Sequence, residues 1–302
     1  MKKIKILFVA LILGVGIFTF CKTQENRSIG SPEIQAAKDA IQLENTVAEI
    51  KGIISDYQRM YADVFVAPVF KTGGAESLTR IIGTKRKDSC VNIIIEKMTV
   101  DDSATIKLSI DYGAFGCKCS DGKTRKGSIV SLYSWMKVGG WSKESTIDNL
   151  IVNGEIQAGT ISSSFGLVGP DKHHNRIEKT TMRIPAKDGT WKEWSAIRNR
   201  EMIEGNGTKD LNKIIFKITG TSKGSNSAGF SYSSKIQENN PLIKPASCTT
   251  FTKGTLVMTN SNGKIVTIDY GDGTCKKVVT IKTQGDKNGK GAFATSVKLG
   301  GK

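Results

Sequence analysis

The chain has 302 residues, 44 Lys and Arg against 28 Asp and Glu, and a formal net charge of +16 at pH 7. That length allows one large domain or two modest ones, and the positive charge favours contact with anionic surfaces. The basic clusters contain almost no aromatic residues, whereas single-stranded nucleic acids are bound by basic residues interleaved with stacking aromatics, so we expect no nucleic-acid partner.

Residues 1–20 have the pattern of a secretory signal peptide. Lys2, Lys3 and Lys5 precede an apolar stretch that runs to residue 20. This stretch is shorter than the ~20 apolar residues that cross a bilayer comfortably. We therefore predict export and removal of residues 1–20, with a short uncleaved anchor as the alternative.

Cys21 lies where the apolar stretch ends and polar residues begin. Its position resembles the cleavage site of bacterial lipoprotein precursors, although Phe20 replaces the usual small residue. From this position we predict that Cys21 is lipidated; the alternative is an ordinary cysteine of the signal. Lipidation would anchor the protein, since each buried acyl methylene contributes ~0.8 kcal/mol to membrane binding. Residues 21–31 then form a tether, the membrane is a partner through the lipid, and the protein is an outer-membrane lipoprotein of the cell envelope.

A helix is predicted from Pro32 to about Ala62, within a helical segment at residues 32–77. Ser31 suits the N-cap, Pro32 the first helical position, and the apolar residues that follow keep helical spacing. Gly52 weakens this pattern, and a break there is the alternative. We expect the apolar stripe of the helix to pack on the domain that follows, because the spacing is too irregular for a coiled coil.

From residue 78 to residue 302 the chain has the pattern of antiparallel β structure. Strand-like runs recur about every 10–15 residues, and no helix-length amphipathic run interrupts them. The sequence predicts an all-β antiparallel domain, either a curved meander or a sandwich, preceded by the helical segment. Three dipeptides are predicted to form two-residue type I′ hairpin turns: Asn153-Gly154, Asp188-Gly189 and Asn262-Gly263.

An internal duplication relates two cassettes, near residues 89–130 and 247–284. Both contain the tetrapeptide Ile-Asp-Tyr-Gly, at residues 110–113 and 268–271, with cysteines in the same register around it. A shared tetrapeptide and matched cysteines are very rare by chance. In each cassette we expect a strand to turn and a second strand to return through the tetrapeptide.

The cysteines of the two cassettes are spaced identically, with 27 positions from Cys90 to Cys117 and from Cys248 to Cys275. Export makes disulfides admissible, so we predict these two bridges, each contributing ~3.5 kcal/mol in the chain-entropy model. Cys119 is left over and is the competing partner for Cys90.

Four further motifs follow the first tetrapeptide in order along the chain. They are Asp121-Gly122-Lys123-Thr124-Arg125-Lys126-Gly127, Asp148-Asn149-Leu150-Ile151-Val152-Asn153-Gly154, Arg198-Asn199-Arg200-Glu201-Met202-Ile203-Glu204-Gly205 and Asp269-Tyr270-Gly271-Asp272-Gly273-Thr274-Cys275. Together these motifs resemble a family of uncharacterised predicted lipoproteins of Bacteroidetes-type bacteria. The resemblance spans roughly residues 85–285, with Lys123 where Arg is usual and Cys119 as an extra cysteine. It implies location and architecture, and no catalytic residue.

The sequence predicts no metal site and no cofactor. Asp269, Asp272 and Thr274 supply too few oxygen atoms for calcium, which needs six or more, and we interpret them as a turn. His173 and His174 are adjacent in a predicted loop, with no acidic cluster beside them.

The candidate ligand surface consists of Trp194, Arg198 and Arg200. These residues share one face of a predicted strand, and Trp191, three positions before Trp194, points to the opposite face. Trp194, Arg198 and Arg200 together would form a cationic, aromatic patch on the surface. The alternative is a strand face with cross-strand ion pairs.

We find no Ser/His/Asp order, paired-carboxylate signal or phosphate loop. The leading hypothesis is a non-catalytic binding or structural module that contacts an anionic envelope component, a glycan or a protein. The alternative is an envelope hydrolase that acts on glycan or peptide with catalytic carboxylates not identified in the sequence.

Overall fold

The computed structural model describes residues 32–65, 77–83, 87–100, 103–136, 140–168, 173–186, 188–206, 208, 210–284 and 292–299. The predicted signal peptide, the tether and Cys21 lie outside these ranges. Within the described ranges, no helix combines the length and apolar character needed for a membrane span.

The helix, α1, spans Pro32–Met60 without a break at Gly52. Gly52 is exposed with open space around it, so its cost is limited to the roughly 1 kcal/mol of poor helix propensity. Exposed residues follow one narrow stripe that includes Gln35, Lys38 and Gln42. The other sides of the helix are largely buried, which explains why its apolar spacing looks irregular in the sequence.

The described residues contain sixteen strands, all in one antiparallel sheet. A short 3₁₀ helix at Leu211–Lys213 precedes the tenth strand. The strands are β1 Ser77–Ile82, β2 Asn92–Val100, β3 Ser103–Asp111, β4 Cys117–Lys118, β5 Thr124–Met136, β6 Gly140–Val152, β7 Glu155–Val168, β8 His173–Pro185, β9 Trp191–Glu204, β10 Ile215–Asn226, β11 Ser231–Ile236, β12 Leu242–Pro245, β13 Lys253–Asn260, β14 Ile265–Asp272, β15 Val278–Thr283 and β16 Phe293–Lys298.

Successive strands are neighbours along almost the whole sheet. Only β4, which pairs with β5, and β12, which pairs with β10 and β13, leave this path among the described strands. The all-β antiparallel prediction is confirmed, and of its two forms the structure has the meander.

The sheet curls around the helix. Glu44 of α1 contacts Arg198 on β9 and Tyr270 on β14, whereas Glu49 contacts Arg125 on β5. Seven strands separate β5 from β14 along the path, which would place them about 38 Å apart in a flat sheet. Five helical residues rise only about 7.5 Å, so the sheet between β5 and β14 must bend to bring both strands to the same part of the helix.

One predicted hairpin turn is confirmed. Asn153 and Gly154 connect β6 to β7 with φ angles of 51° and 89°. Positive φ at both central residues is what a type I′ turn requires.

The other two predicted two-residue turns are wrong, because both belong to longer loops. Asp188 accepts a hydrogen bond from the Thr190 backbone N–H, and Asn260 accepts bonds from the N–H groups of Asn262 and Lys264. These side-chain bonds stabilise loops in which Gly189 and Gly263 take positive φ but their preceding residues do not.

The two cassettes have matching local structure. In the first, β2 and β3 pair and Asp111 accepts a hydrogen bond from the Gly113 N–H at 2.8 Å; in the second, β13 and β14 pair and Asp269 accepts one from Gly271 at 3.0 Å. The tyrosine of each tetrapeptide is buried. The repeated tetrapeptide therefore forms the same strand end twice.

The cysteine pairs lie as predicted. Cys90 and Cys117 are bonded with a Cα–Cα distance of 5.5 Å, and Cys248 and Cys275 with one of 5.7 Å. Cys119 is free and buried, and burial raises the pKa of its thiol. A thiol with a raised pKa has little reactive thiolate at neutral pH, so Cys119 behaves as a core residue.

Candidate binding site

One row of inward-facing residues crosses six neighbouring strands. Side chains alternate between the faces of a strand, so the paired residues of adjacent strands form continuous rows on the inner face. The members of this row, each paired with the next, are Tyr133, Lys143, Ser163, Glu178, Arg198 and Gly220. Arg176 and Arg200 are paired in the next row across β8 and β9.

These rows and the helix bring together a group that we call the interior cationic cluster. It comprises Glu178 and five cationic side chains, from α1, β6, β8, β9 and β12. Glu178 lies 2.6 Å from the Lys51 ammonium and 3.6 Å from the Arg176 guanidinium. The five cations are Lys51, Lys143, Arg176, Arg200 and Lys244.

Three of the cations rest on aromatic rings. The Lys143 ammonium is 5.8 Å from the Tyr133 ring centre, and the Arg176 guanidinium is 5.6 Å from that of Trp141. Arg200 lies 3.7 Å above Phe216. Such contacts stabilise a cation without neutralising its charge, so the cluster keeps its excess of positive charge.

The cluster runs from a partly open side to a closed one. The Arg176 side chain is 35% exposed and Trp141 is half-buried, whereas Lys143 is only 6% exposed. Among the described residues, neither the Lys143 ammonium nor the Arg200 guanidinium has a hydrogen-bonding or ion-pairing partner. Glu178 acts on both cations through its charge, but among the described residues neither has a carboxylate within ion-pairing distance.

The electrostatics of the cluster reflect this imbalance. Burial, with Arg176 and Lys51 nearby, lowers the pKa of Lys143 to about 8. Burial, together with the nearby charge of Arg200, also lowers the pKa of Lys244 to about 8. Burial alone would raise the pKa of Glu178, but Lys51 and Arg200 outweigh it and hold that pKa at about 2. At neutral pH the cluster thus contains five largely protonated cations and one carboxylate.

The candidate ligand surface predicted from the sequence lies on the inner face of the sheet and not on the protein surface. Trp194, Arg198 and Arg200 share a face, as their spacing predicts, but that face is the inner one and α1 covers it. Trp194 is 4% exposed and Arg198 8% exposed, so they do not form a surface patch. Glu44 of the helix pairs with Arg198 and makes its burial tolerable. Only Arg200 belongs to the interior cationic cluster.

Sequence reasoning missed the other members of the cluster, although a signal was present. Lys143 alternates in phase with Ser145 and Ile147, which are buried, and Glu178 alternates in phase with Met182. Charged residues at inward positions of strands are rare. Their appearance on two neighbouring hairpins would have indicated an interior polar site.

The structure also has two adjoining grooves on the outer face of β8 to β13, with volumes of about 710 and 720 Å³. Their linings mix Ser and Thr hydroxyls with charged side chains such as Lys223, Lys235 and Glu238. These three charged side chains are exposed, and an exposed charge lacks the free-energy cost of a buried one. One row across the grooves is Thr181, Ser195, Lys223, Ser233 and Thr259.

Among the described residues, no group of three or more His, Cys, Asp and Glu side chains could hold a metal ion. Asp272 accepts hydrogen bonds from Thr274 and pairs with Lys276, which closes the turn. His173 and His174 begin β8 and do not lie in a loop; their side chains are outside the described part.

Comparison of the chain with protein-family models, with curated proteins and with solved structures gives no match. The resemblance to predicted lipoproteins therefore stays a prediction, and functional conclusions depend on the geometry of the chain itself.

Proposed function

We propose that the protein is an exported, non-catalytic binding module of the cell envelope that holds an anionic ligand in the interior cationic cluster. The observation that carries this proposal is the excess of cations over carboxylates in the interior cationic cluster. Desolvated like charges destabilise a protein unless a counter-charge accompanies them. An anion from solution would supply that counter-charge.

The rest of the interior supports a ligand role over a purely structural one. Arg125 and Arg198 are also buried, and each pairs with a glutamate of α1, Glu49 and Glu44 respectively. The same helix thus neutralises the cations that only hold the fold together. It supplies a further cation, Lys51, to the interior cationic cluster.

The hydrolase hypothesis has less support. Glycoside hydrolysis by general acid and base needs two carboxyl groups across the scissile bond. The interior cationic cluster contains one carboxylate, Glu178, whose pKa of about 2 leaves it no proton to donate at neutral pH.

The binding proposal predicts a saturable rise in melting temperature with phosphate, sulfate or citrate, compared with chloride at equal ionic strength. Anions that bind only the folded state stabilise it by mass action, and saturation separates this from the general effect of excluded salts. The double variant Lys143→Met, Arg200→Met should lose the rise, and Lys179→Met on the outer face of β8 should keep it. An unsaturated rise shared by all three proteins would contradict the proposal.

The location is a separate part of the proposal and rests on the amino-terminal pattern and Cys21. We expect radiolabelled palmitate to be incorporated into the wild-type protein and not into Cys21→Ala. Cys119→Ala is the matched control and should label like the wild type. Equal labelling of Cys21→Ala and wild type would rule out lipidation at this residue.

A further inference from the structure

Resting on the proposed anion-binding function, we infer that the ligand of the interior cationic cluster carries a phosphate monoester group, bound as a dianion between Arg176 and Arg200. Three features of the cluster support this ligand class: its charge, the arrangement of the two arginines, and the aromatic rings behind the cations.

The charge of the cluster favours a ligand with more than one negative charge. With Glu178 as its one carboxylate, the cluster has four more positive than negative groups when all are ionised. A monocarboxylate would leave most of that excess in place. A phosphate monoester carries about −1.5 to −2 charges at pH 7, and it therefore offsets roughly twice as much of the excess.

The two arginines are arranged to share one anion. Arg176 and Arg200 are directly paired across β8 and β9 on the inner face. Like charges in directly opposite positions repel each other. The one carboxylate beside them, Glu178, also pairs with Lys51, so a further anion would offset the repulsion that Glu178 leaves. Guanidinium groups bind carboxylate and phosphate through two parallel N–H donors. A phosphate has three terminal oxygens and can accept such a pair of bonds from one guanidinium and further bonds from the other.

The aromatic rings leave the donors free. Trp141 and Phe216 each cover one face of a guanidinium, and the N–H groups of a guanidinium lie in its plane. The rings therefore fix the orientation of the arginines without occupying their donors. Trp141 lies on the partly open side, where it can contact the organic part of a phosphate monoester.

The titrating groups of the cluster define a pH window for binding. They come from α1 (Lys51), β6 (Lys143), β8 (Arg176, Glu178), β9 (Arg200) and β12 (Lys244), with Tyr133 of β5 neutral because burial raises its pKa. The second pKa of a phosphate monoester is about 6, so the ligand loses charge below that pH. Lys143 and Lys244 have pKa values of about 8, so the cluster loses positive charge as the pH rises above about 8. Affinity should be greatest between these limits.

The test is isothermal titration of the full chain with glycerol 1-phosphate, inorganic phosphate and acetate at pH 5, 7 and 9. We expect glycerol phosphate to bind about 10- to 100-fold more tightly than acetate, the range expected for additional charge-assisted hydrogen bonds. Its affinity should fall at pH 5 and at pH 9. Binding of the protein to vesicles that contain phosphatidic acid is compared with binding to vesicles of phosphatidylcholine alone. Stronger binding to phosphatidic acid would show that the phosphate group can belong to a lipid.

Variants separate recognition from folding. Arg200→Lys keeps the charge and loses the guanidinium fork, so it should weaken glycerol phosphate by at least about tenfold. Acetate should be weakened less, because a carboxylate can be held by the fork of Arg176 alone. The melting temperature of the variant reports its folding. Lys179→Met should bind like the wild type. Acetate binding as tightly as glycerol phosphate would overturn the phosphate assignment and leave anion binding in place. No saturable binding of any probe would overturn both.

Discussion

Replacing Glu44 by Ala is expected to lower the free energy of unfolding by about 3–5 kcal/mol, the usual effect of breaking a buried ion pair from one side. Both side chains are about nine-tenths buried, and Arg198 would keep its charge with no carboxylate to balance it. Tyr270 would also lose the acceptor of its hydroxyl, 3.2 Å away. Because Glu44 joins α1 to β9 and to the second cassette, its loss should loosen the contact between the helix and the curled sheet.

Urea denaturation of Glu44→Ala beside Lys38→Ala measures this effect. Lys38 is a charged residue of the same helix that is exposed and has no ion-pairing partner among the described residues. Its replacement should change stability by no more than about 0.5 kcal/mol, as at most surface positions. Equal losses for the two variants would mean that the helix is not held to the sheet by the ion pair of Glu44.

Replacing Lys143 by Met is expected to stabilise the ligand-free protein by about 3 kcal/mol at pH 7. The pKa of Lys143 falls from 10.5 to about 8 on folding, and each pKa unit corresponds to about 1.4 kcal/mol. Because the folded state binds this proton more weakly than the unfolded state, the penalty is fully present below about pH 8 and disappears as the pH rises towards 10.5. Methionine has a similar length and no charge, so it removes the penalty at every pH.

The measurement is urea denaturation of both proteins in chloride buffer at pH 7 and pH 10. The advantage of Lys143→Met should be largest at pH 7 and small at pH 10, and Lys179→Met should show no such difference. A variant that is less stable than the wild type at pH 7 would indicate that Lys143 is a structural residue. A gain in stability that accompanies a loss of anion binding is the signature of a residue kept for its ligand.

The parts of the fold that depend on local sequence could be predicted. Helix α1 has its first-position proline and an approximate helical spacing of apolar residues. The matched cysteines indicate both bridges because each bridge encloses one hairpin. Two turn predictions failed since Asp188 and Asn260 make side-chain hydrogen bonds that extend their loops. A dipeptide pattern does not contain that information.

The candidate site was harder to predict because it depends on how the sheet curls. Alternation shows that Trp194, Arg198 and Arg200 share a face, but not whether that face is covered. Arginine is seldom buried, which favours an outward placement until a partner such as Glu44 is known. The cluster also joins Lys51 to Glu178, residues that are 127 positions apart. Contacts at such separations follow from the topology and not from any local pattern.

Anion binding in the interior cationic cluster is tested most directly by locating a bound anion in crystals soaked with tungstate, a phosphate-like dianion with strong anomalous scattering. We predict an anomalous peak within hydrogen-bonding distance of Arg176 and Arg200, on the inner face of the sheet, and no such peak in the double variant Lys143→Met, Arg200→Met. Peaks confined to exposed lysines of the outer face, with the interior cationic cluster empty in the wild-type protein, would contradict it.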